Sequence, residues 1–337
     1  MVARQFPSRP AYLDALCELC EREGYACASA DPLTGHVLRI SSGSKFFFTG
    51  AGRVSPYPLN AATLVSLTRD KAHSAAILKQ AGFATAGGRH FFLRPDLRER
   101  RPDGHEFADA FPYAEALGYP VFVKPVAGTG GKGAGAVFDA EALAYRLQSI
   151  AAYDWAAIVQ PVQDGREFRL FLIDGAAQFL YEKRKPSVTG DGHRTLGALM
   201  AERFPIDEAG RDPYTDARQA FETFLSESGR SLSSIPADGE VVALSSIANV
   251  SSVGDLHGFH DVPGWMADWA ADLFKAFPLR VMGIDLFVDR LEPLPDTPPV
   301  IIELNGAPAT ASLLKNKRHD LFEQVWRKVM SLYFSGA

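Results

Sequence analysis

Two short apolar runs, Val281 to Val288 and Val300 to Leu304, carry oxygen-bearing side chains among residues that otherwise favour burial. Asp285 lies in the first, Glu303 lies in the second, and Asn305 follows directly. Side chains two apart on a strand leave from one face, so Glu303 and Asn305 project together, and a hairpin returns Asp285 beside them. Three hard oxygen ligands then converge, a set that suits magnesium, which takes carboxylates and phosphate oxygens and keeps some of its waters. For either strand alone, a buried carboxylate satisfied by backbone donors is the better account. The pair together, with what precedes it, favours the metal.

Upstream, the apolar strand Tyr119-Pro120-Val121-Phe122-Val123 ends in Lys124 and enters a loop with five glycines in the eight positions from Gly128 to Gly135. Such a loop offers unobstructed backbone N–H groups, and Lys132 within it adds a mobile cation, which is chemistry that cradles phosphate. It matches neither the P-loop pattern, since Ala134 follows Gly133, nor a GxGxxG turn opening a helix. A plain flexible turn fits the glycines alone; Lys124 before them sharpens the phosphate reading. Between this loop and the acidic strands, Gln160 to Val162 can present an amide and backbone groups to a base edge. Glu167, after the Gly165 turn, can accept two ribose hydroxyls. These groups, Gln160 to Val162 with Glu167, fit a nucleoside clamp; taken alone, Glu167 and Arg169 read as surface charges on an edge strand, and the order of the motifs along the chain favours the clamp.

The elements that must hold these groups follow from periodicity. Helices are expected over Pro10 to Glu23, from an Asp70 cap to Gly82, over Glu141 to Ile150, Thr195 to Phe204, Arg211 to Gly229, Val262 to Phe277 and Asp320 to Phe334. Strands are expected over Val37 to Phe48 as a pair turning at Ser42-Gly43, and over His90 to Leu93, Ala157 to Pro161 and Val241 to Ile247. Phe168 to Asp174 and Ala177 to Lys183 form a hairpin about Asp174-Gly175. Hairpins abound, so an α+β fold with antiparallel sheets is expected rather than a doubly wound parallel sheet. Arg94 to His105 reads as a solvated loop.

The 337 residues are 47% apolar and 22% charged, with a formal net charge of −5. Disorder is excluded by that composition, and no electrostatic footprint for nucleic acid exists. No run of eighteen apolar residues occurs, and Met1 to Arg9 lacks an apolar signal region, so a cytoplasmic protein without a membrane partner is expected. Cys17, Cys20 and Cys27 read as small apolar packing residues. His193, His257 and His260 read as surface loop residues.

In this order the motifs resemble the ATP-grasp carboxylate–amine ligases, in particular the ATP-grasp domains of cyanophycin synthetase and bifunctional glutathione synthetase. The resemblance runs from about Thr68 to Leu314. It rests on Asp70-Lys71, the Lys124 strand and its loop, Asp164-Gly165-Arg166-Glu167-Phe168-Arg169, and Lys183-Arg184-Lys185-Pro186 with Gly190-Asp191-Gly192. Further on it rests on Ile235 to Val241, Ser246 to Ser251, Gly283-Ile284-Asp285 and Ile302 to Pro308. It implies a nucleotide sandwiched between two antiparallel α+β lobes: residues 1–67 a pre-ATP-grasp region, 68–118 a linker and central helical region, 119–183 a small lobe with the glycine lid, and 184–337 a large lobe with the acidic strands.

By that likeness Lys71 and Lys124 contact phosphates, and Lys132 with Gly130, Gly131 and Gly133 closes over the β and γ groups. Gln160, Val162 and Glu167 hold adenine and ribose, and Lys183 or Arg184 meets the transferred phosphoryl group. Asp285, Glu303 and Asn305 hold magnesium, with two ions expected and manganese an alternative. Arg184, Ser246, Asn249 and Arg280 are the expected anchors of the acid substrate, since a carboxylate favours guanidinium and hydroxyl donors. The implied reaction joins a small-molecule acid to an amine, an amino acid or a peptide, through an acyl phosphate, with ADP and phosphate released. The oligomeric state is left open: Phe46-Phe47-Phe48 or the final aromatic helix could supply a homo-oligomer interface, although both read better as core.

Departures narrow the likeness: Gln160 stands where Glu is common, and Asn249 to Gly254 only partly matches the Asn-x-Ser-Thr-Gly-Gly run. The sequence lacks the Mur-ligase-like half of cyanophycin synthetase and the amino-acid ligase of the bifunctional glutathione enzyme, so polymerisation by a two-site scheme is not expected. Two other classes compete: a non-catalytic ATP-binding regulatory module, which has no need of the metal oxygens, and a phosphotransferase that stops at a phosphorylated product.

Overall fold

A computed structural model describes residues 9–336 apart from 53, 97, 129, 206–214, 249–254 and 293. Its centre is a five-stranded antiparallel sheet in the order Asp255–His260, Ala176–Arg184, Arg166–Ile173, Val281–Val288, Val300–Asn305. The hairpin at its heart turns where expected: Asp174 (φ 53°) and Gly175 (φ 79°) both take positive φ, the requirement of a tight primed turn.

Strand alternation gives this sheet two unlike faces. Phe168, Leu170, Leu172, Leu180, Met282, Ile284, Leu286 and Val288 all pack toward the helix Gly264–Ala276 and its Met266, Ala270 and Leu273. At about 2 kcal/mol for each large side chain buried, that face fixes which way every residue between must point. The opposite face changes character along its length. Phe171, Ile173, Phe179, Tyr181 and Val281 join a core with the helices Ala11–Arg22 and His319–Ser335. Glu167, Arg169, Lys183, Asp285 and Glu303, in register with one another, occupy the remainder.

A second antiparallel sheet has the order Arg89–Phe92, Ala156–Pro161, Val121–Pro125, Gly135–Val137. Phe91, Val121, Val123, Val137, Ala157 and Val159 bury one face under the helices Ala110–Leu117 and Ala140–Ala151. By alternation His90, Phe92, Phe122, Lys124, Ile158 and Gln160 share the other. The helix Lys71–Gln80 wedges in beside it. Asp70 caps that helix, accepting from the His73 backbone N–H at 2.9 Å, and Ala72 packs on Phe92, Val126, Ala156 and Ile158.

Sheet membership divides the chain differently from the expected segments: Arg89–Phe92 joins the sheet of Lys124, and both strands of the Asp174-Gly175 hairpin belong to the sheet of Asp285. Between Arg184 and Asp255 an insertion forms a hairpin, Ser187–Thr189 with Val241–Ala243, under the helices Leu196–Arg203 and Thr215–Glu227, with its own small core. The strand expected over Val241 to Ile247 stops at Ala243. Part of the helix expected from Arg211 lies outside the described residues. Asp255–His260, which reads as loop, is an edge strand, and it draws His257 and His260 into the sheet.

A three-stranded sheet, Ala26–Ser29, Val37–Ser42 and Lys45–Gly50, completes the N-terminal part. Cys17 and Cys27 form a disulfide with Cα atoms 5.5 Å apart, which corrects the expectation that all three cysteines are only packing residues. Cys20 alone fits it, buried with its Sγ 3.7 Å from Met330 Sδ. Phe47 is core, whereas Phe46 and Phe48 are 41% and 51% exposed. No helix among the described residues is long and apolar enough to cross a membrane.

Candidate active site

The two sheets meet along Val300–Asn305. Ala86 N–H donates to Ile301 O (3.0 Å) and Ile301 N–H to Ala84 O (2.9 Å), just before the chain enters the second sheet at Arg89. In the hairpin Gly283 faces Asn305 and Asp285 faces Glu303, but the next pair is Leu286 with Ile301. Ile302 is therefore an extra residue, a β-bulge. Its carbonyl oxygen lies 3.4 Å from Lys124 Nζ, which reaches it from the other sheet.

Around this seam the charged half of the central sheet is gathered. Asp285, 3% exposed, accepts from Arg169 in a fork, Nε to Oδ1 at 2.6 Å and Nη2 to Oδ2 at 2.5 Å, and lies 3.2 Å from Lys183 Nζ. Lys183 also pairs with Glu167. Lys71 Nζ is 3.7 Å from Glu303 and donates to Gly128 O at 2.9 Å, so the helix start touches both the acidic strand and the glycine loop. Burial pushes the Asp285 carboxyl up, yet Arg169 and Lys183 outweigh it and hold the group well below the usual carboxylate range. Burial raises the Glu167 carboxyl and wins over Lys183. For Lys183 burial works against the charge, but Asp285 and Glu167 more than restore it. Lys124 differs: burial, reinforced by the repulsion of Lys71, takes its ammonium down to about 8, against the pull of Glu303, Glu167 and Asp285. Four cations, Lys71, Lys124, Arg169 and Lys183, thus meet three carboxylates, Glu167, Asp285 and Glu303. The surplus is positive, in a place where water is scarce, and a polyanion is its natural complement.

The glycine loop adjoins this cluster. Gly130, Gly131 and Gly133 take φ of 71°, 73° and 72°; Thr129 lies outside the described residues. A Cβ on Gly133 would sit 2.0 Å from the Tyr153 hydroxyl. Lys132 points outward, its Nζ 4.8 Å from the centroid of the Tyr153 ring, so the structure does not bring it to the cluster. Gln160 is buried across from Phe122, and only a glycine at 88 leaves it room, since a Cβ there would be 2.5 Å from its own. Val162 follows, half-buried, on the way to Glu167.

Three expected anchors lie elsewhere. Arg184 falls on the face opposite Lys183, half-exposed, with Nε 3.3 Å from Glu182. Arg280 forks onto Asp174 at 2.7 and 3.0 Å at the turn end of the sheet, five positions or roughly 16 Å along the strand from Asp285. Ser246 accepts from Ala136 N–H at 3.0 Å and so braces the strand leaving the glycine loop. Asn249 lies outside the described residues. Arg169, which reads as a surface charge, is the residue missed. The Asp174-Gly175 turn was its signal, for it sets the strand of Glu167 and Arg169 against that of Lys183.

Asp285, Glu303 and Asn305 share one face and offer two carboxylates and an amide oxygen, a donor set that fits magnesium. Both Asp285 oxygens are held by Arg169 and Lys183, so an ion would have to displace one of those contacts. Among the described residues no three His, Cys, Asp or Glu side chains converge as a metal set.

The family model for the carbamoyl-phosphate synthase L chain ATP binding domain matches residues 70–160. Cyanophycin synthetase from Synechocystis sp. is 29% identical over 268 residues, covering 72% of this chain and 28% of that protein. The glutathione biosynthesis bifunctional protein of Desulfotalea psychrophila is 27% identical over 243 residues, covering 69% of this chain and 30% of its own length. The chain thus spans about three tenths of the curated relatives it matches. A crystal structure of a bifunctional glutathione synthetase from Pasteurella multocida superposes with a TM-score of 0.55 at 20% identity, over 98% of this chain and 45% of that one, which speaks to the fold. The matched ATP-binding region opens at Asp70 and closes at Gln160, so it takes in the helix of Lys71, the strand of Lys124 and the glycine loop, and the chain has the ATP-grasp fold.

Proposed function

We propose that the chain is an ATP-dependent carboxylate–amine ligase, forming an amide between a small-molecule acid and an amine, an amino acid or a peptide, in the cytoplasm. The observation that carries this reading is the unbalanced cluster at the seam, where the buried Lys124 meets the Ile302 carbonyl and, among the described residues, pairs with no carboxylate. A triphosphate supplies the missing negative charge.

A carboxylate is a poor electrophile, and its oxygen must become a leaving group before an amine can displace it. The acid oxygen takes the γ-phosphoryl group of ATP, the bond from that phosphorus to the bridging oxygen breaks, and ADP leaves. The amine then attacks the acyl carbon, phosphate departs with the bonding pair, and the amine gives up a proton. Lys71, Lys124 and Lys183 neutralise phosphate oxygens during transfer, which makes catalysis mainly positioning and electrostatics. Lys183, already within the cluster, is better placed for this than Arg184, which must first release Glu182. Gly130, Gly131 and Gly133 with Lys132 close over the phosphates once Lys132 leaves Tyr153, and so shield the acyl phosphate from water. Gln160, Val162 and Glu167 hold the nucleoside. Asp285, Glu303 and Asn305 would hold magnesium, as two ions, with manganese able to replace it. That metal would supply charge neutralisation during transfer. Of the expected acid-side contacts Asn249 is carried forward; Arg184, Ser246 and Arg280 are better explained by Glu182, Ala136 and Asp174. The active form is a homo-oligomer.

ADP release measured with a panel of amino acids and short peptides, with mass spectrometry of the products, tests the reading. An amide product is expected. A phosphate ester makes the chain a phosphotransferase, and nucleotide binding without product makes it a regulatory module.

A further inference from the structure

Gly306, the residue immediately after Asn305, is gripped on both sides of its backbone. Asn60 Nδ2 donates to Gly306 O (2.9 Å), and Gly306 N–H donates to Thr68 Oγ1 (3.1 Å). The same Asn60 amide donates to Val281 O and accepts from Val281 N–H, both at 2.8 Å, so one side chain joins the exit of the acidic strand to the strand that carries Asp285. Thr68 is buried, its hydroxyl proton spent on Val65 O at 2.8 Å, which leaves its oxygen free to accept from Gly306. The fit is close, since a Cβ on Gly306 would lie 2.8 Å from Thr68 Oγ1 and 3.2 Å from Val65 Cα. Neither Asn60 nor Thr68 reaches the charged cluster, and neither is needed to build the sheet ladder.

We propose that Asn60 and Thr68 are positioning residues for the metal site, fixing the backbone at Gly306 so that Asn305 and Glu303 present their oxygens together with Asp285. This rests on the metal reading given under Proposed function. Rotating the Gly306 peptide would swing Asn305, one bond away, while leaving the nucleotide contacts of Lys71 and Lys124 in place. Partners behind metal ligands typically govern affinity by 10- to 100-fold.

The test is binding of Mn2+ in the presence of ADP, followed by electron paramagnetic resonance, alongside ADP binding without metal and thermal unfolding. Thr68→Val, which removes only the hydroxyl, and Asn60→Asp, which keeps the acceptor but loses both donated bonds, are expected to weaken Mn2+ about tenfold. Thr68→Ser should restore the affinity to within about twofold. ADP binding without metal should stay unchanged in all three. Unchanged Mn2+ affinity in folded Thr68→Val overturns the proposal, as does an equal loss of metal-free ADP binding, which would mark a general structural role. If Asn60→Asp does not fold, the Thr68 pair decides alone. A wild-type protein that binds ADP but no Mn2+ refutes the metal reading itself and this proposal with it.

Discussion

Asp285 and Glu182 are both 3% exposed, both lie on the central sheet, and both are forked by an arginine. They differ in what surrounds the fork. Glu182 takes Arg166 at 3.1 and 2.6 Å and Arg184 at 3.3 Å, with His260 Nε2 at 3.7 Å, on an edge where both guanidinium groups are half-open to water. Burial acts to raise its carboxyl, and the arginines lower it on balance. Asp285 shares Lys183 with Glu167 and sits within a set whose fourth cation, Lys124, meets a carbonyl rather than a carboxylate. Each node holds one cation more than it has carboxylates, but the surplus at Glu182 stands half-open to water, whereas the surplus at Asp285 is buried. A buried carboxylate in an arginine fork is therefore no mark of function; a buried imbalance around it is.

Substitution should separate the two nodes. Asp285→Asn is expected to lower substrate-dependent ADP release on the order of 1,000-fold. It should also cost about 3 kcal/mol of stability, since it strands Arg169 and Lys183 in a dry site; full turnover in a folded variant would remove Asp285 from the site.

Lys124→Met should weaken ADP binding about 100-fold while leaving thermal stability equal or higher, because the buried ammonium is a cost to the apo fold. The same lysine predicts a pH profile. Folding depresses its proton affinity, so the ammonium that binds phosphate is fully present below about pH 8. ADP affinity, measured by calorimetry from pH 6.5 to 9.5 (assay range ~3 units), should decline through and above that value in the wild type and stay flat in Lys124→Met. The folding penalty runs the opposite way, full below pH 8 and relieved as pH rises above it.

Glu182→Gln should cost about 2 kcal/mol of stability by urea unfolding and change ADP release less than about threefold. A much larger kinetic loss would mean that Arg184 acts on the phosphoryl group and that Glu182 aims it. Smallest is Gly133→Ala, where positive φ and the Tyr153 hydroxyl oppose a Cβ. It should raise the KM for ATP a fewfold with little change in kcat, corresponding to about 1 kcal/mol.

Much of this was legible in the residues. The hairpin about Asp174-Gly175, the Asp70 cap and the pairing of the acidic strands each follow from local rules, and the structure repeats them. The antiparallel α+β class followed from the same hairpins. What escaped depends on distant register. Arg169 looks like any edge charge until its strand is placed between Ala176–Arg184 and Val281–Val288. Asp255–His260 offers glycine and two histidines, and only its neighbour in the sheet makes it a strand. The helices Ala62–Arg69 and Ala110–Leu117 are short and take their stability from packing rather than from propensity. Lys183 and Arg184 were interchangeable in sequence, and the period of two sent them to opposite faces.

The bulge at Ile302 has a mechanical side. In an unbroken ladder its carbonyl would be turned to a neighbouring strand; displaced, it becomes the post to which the other sheet's lysine is moored. Under the proposed function, a nucleotide that took Lys124 for its phosphates would release that mooring as it arrived. A single surplus residue would then brace the cleft when empty and free it to adjust when filled.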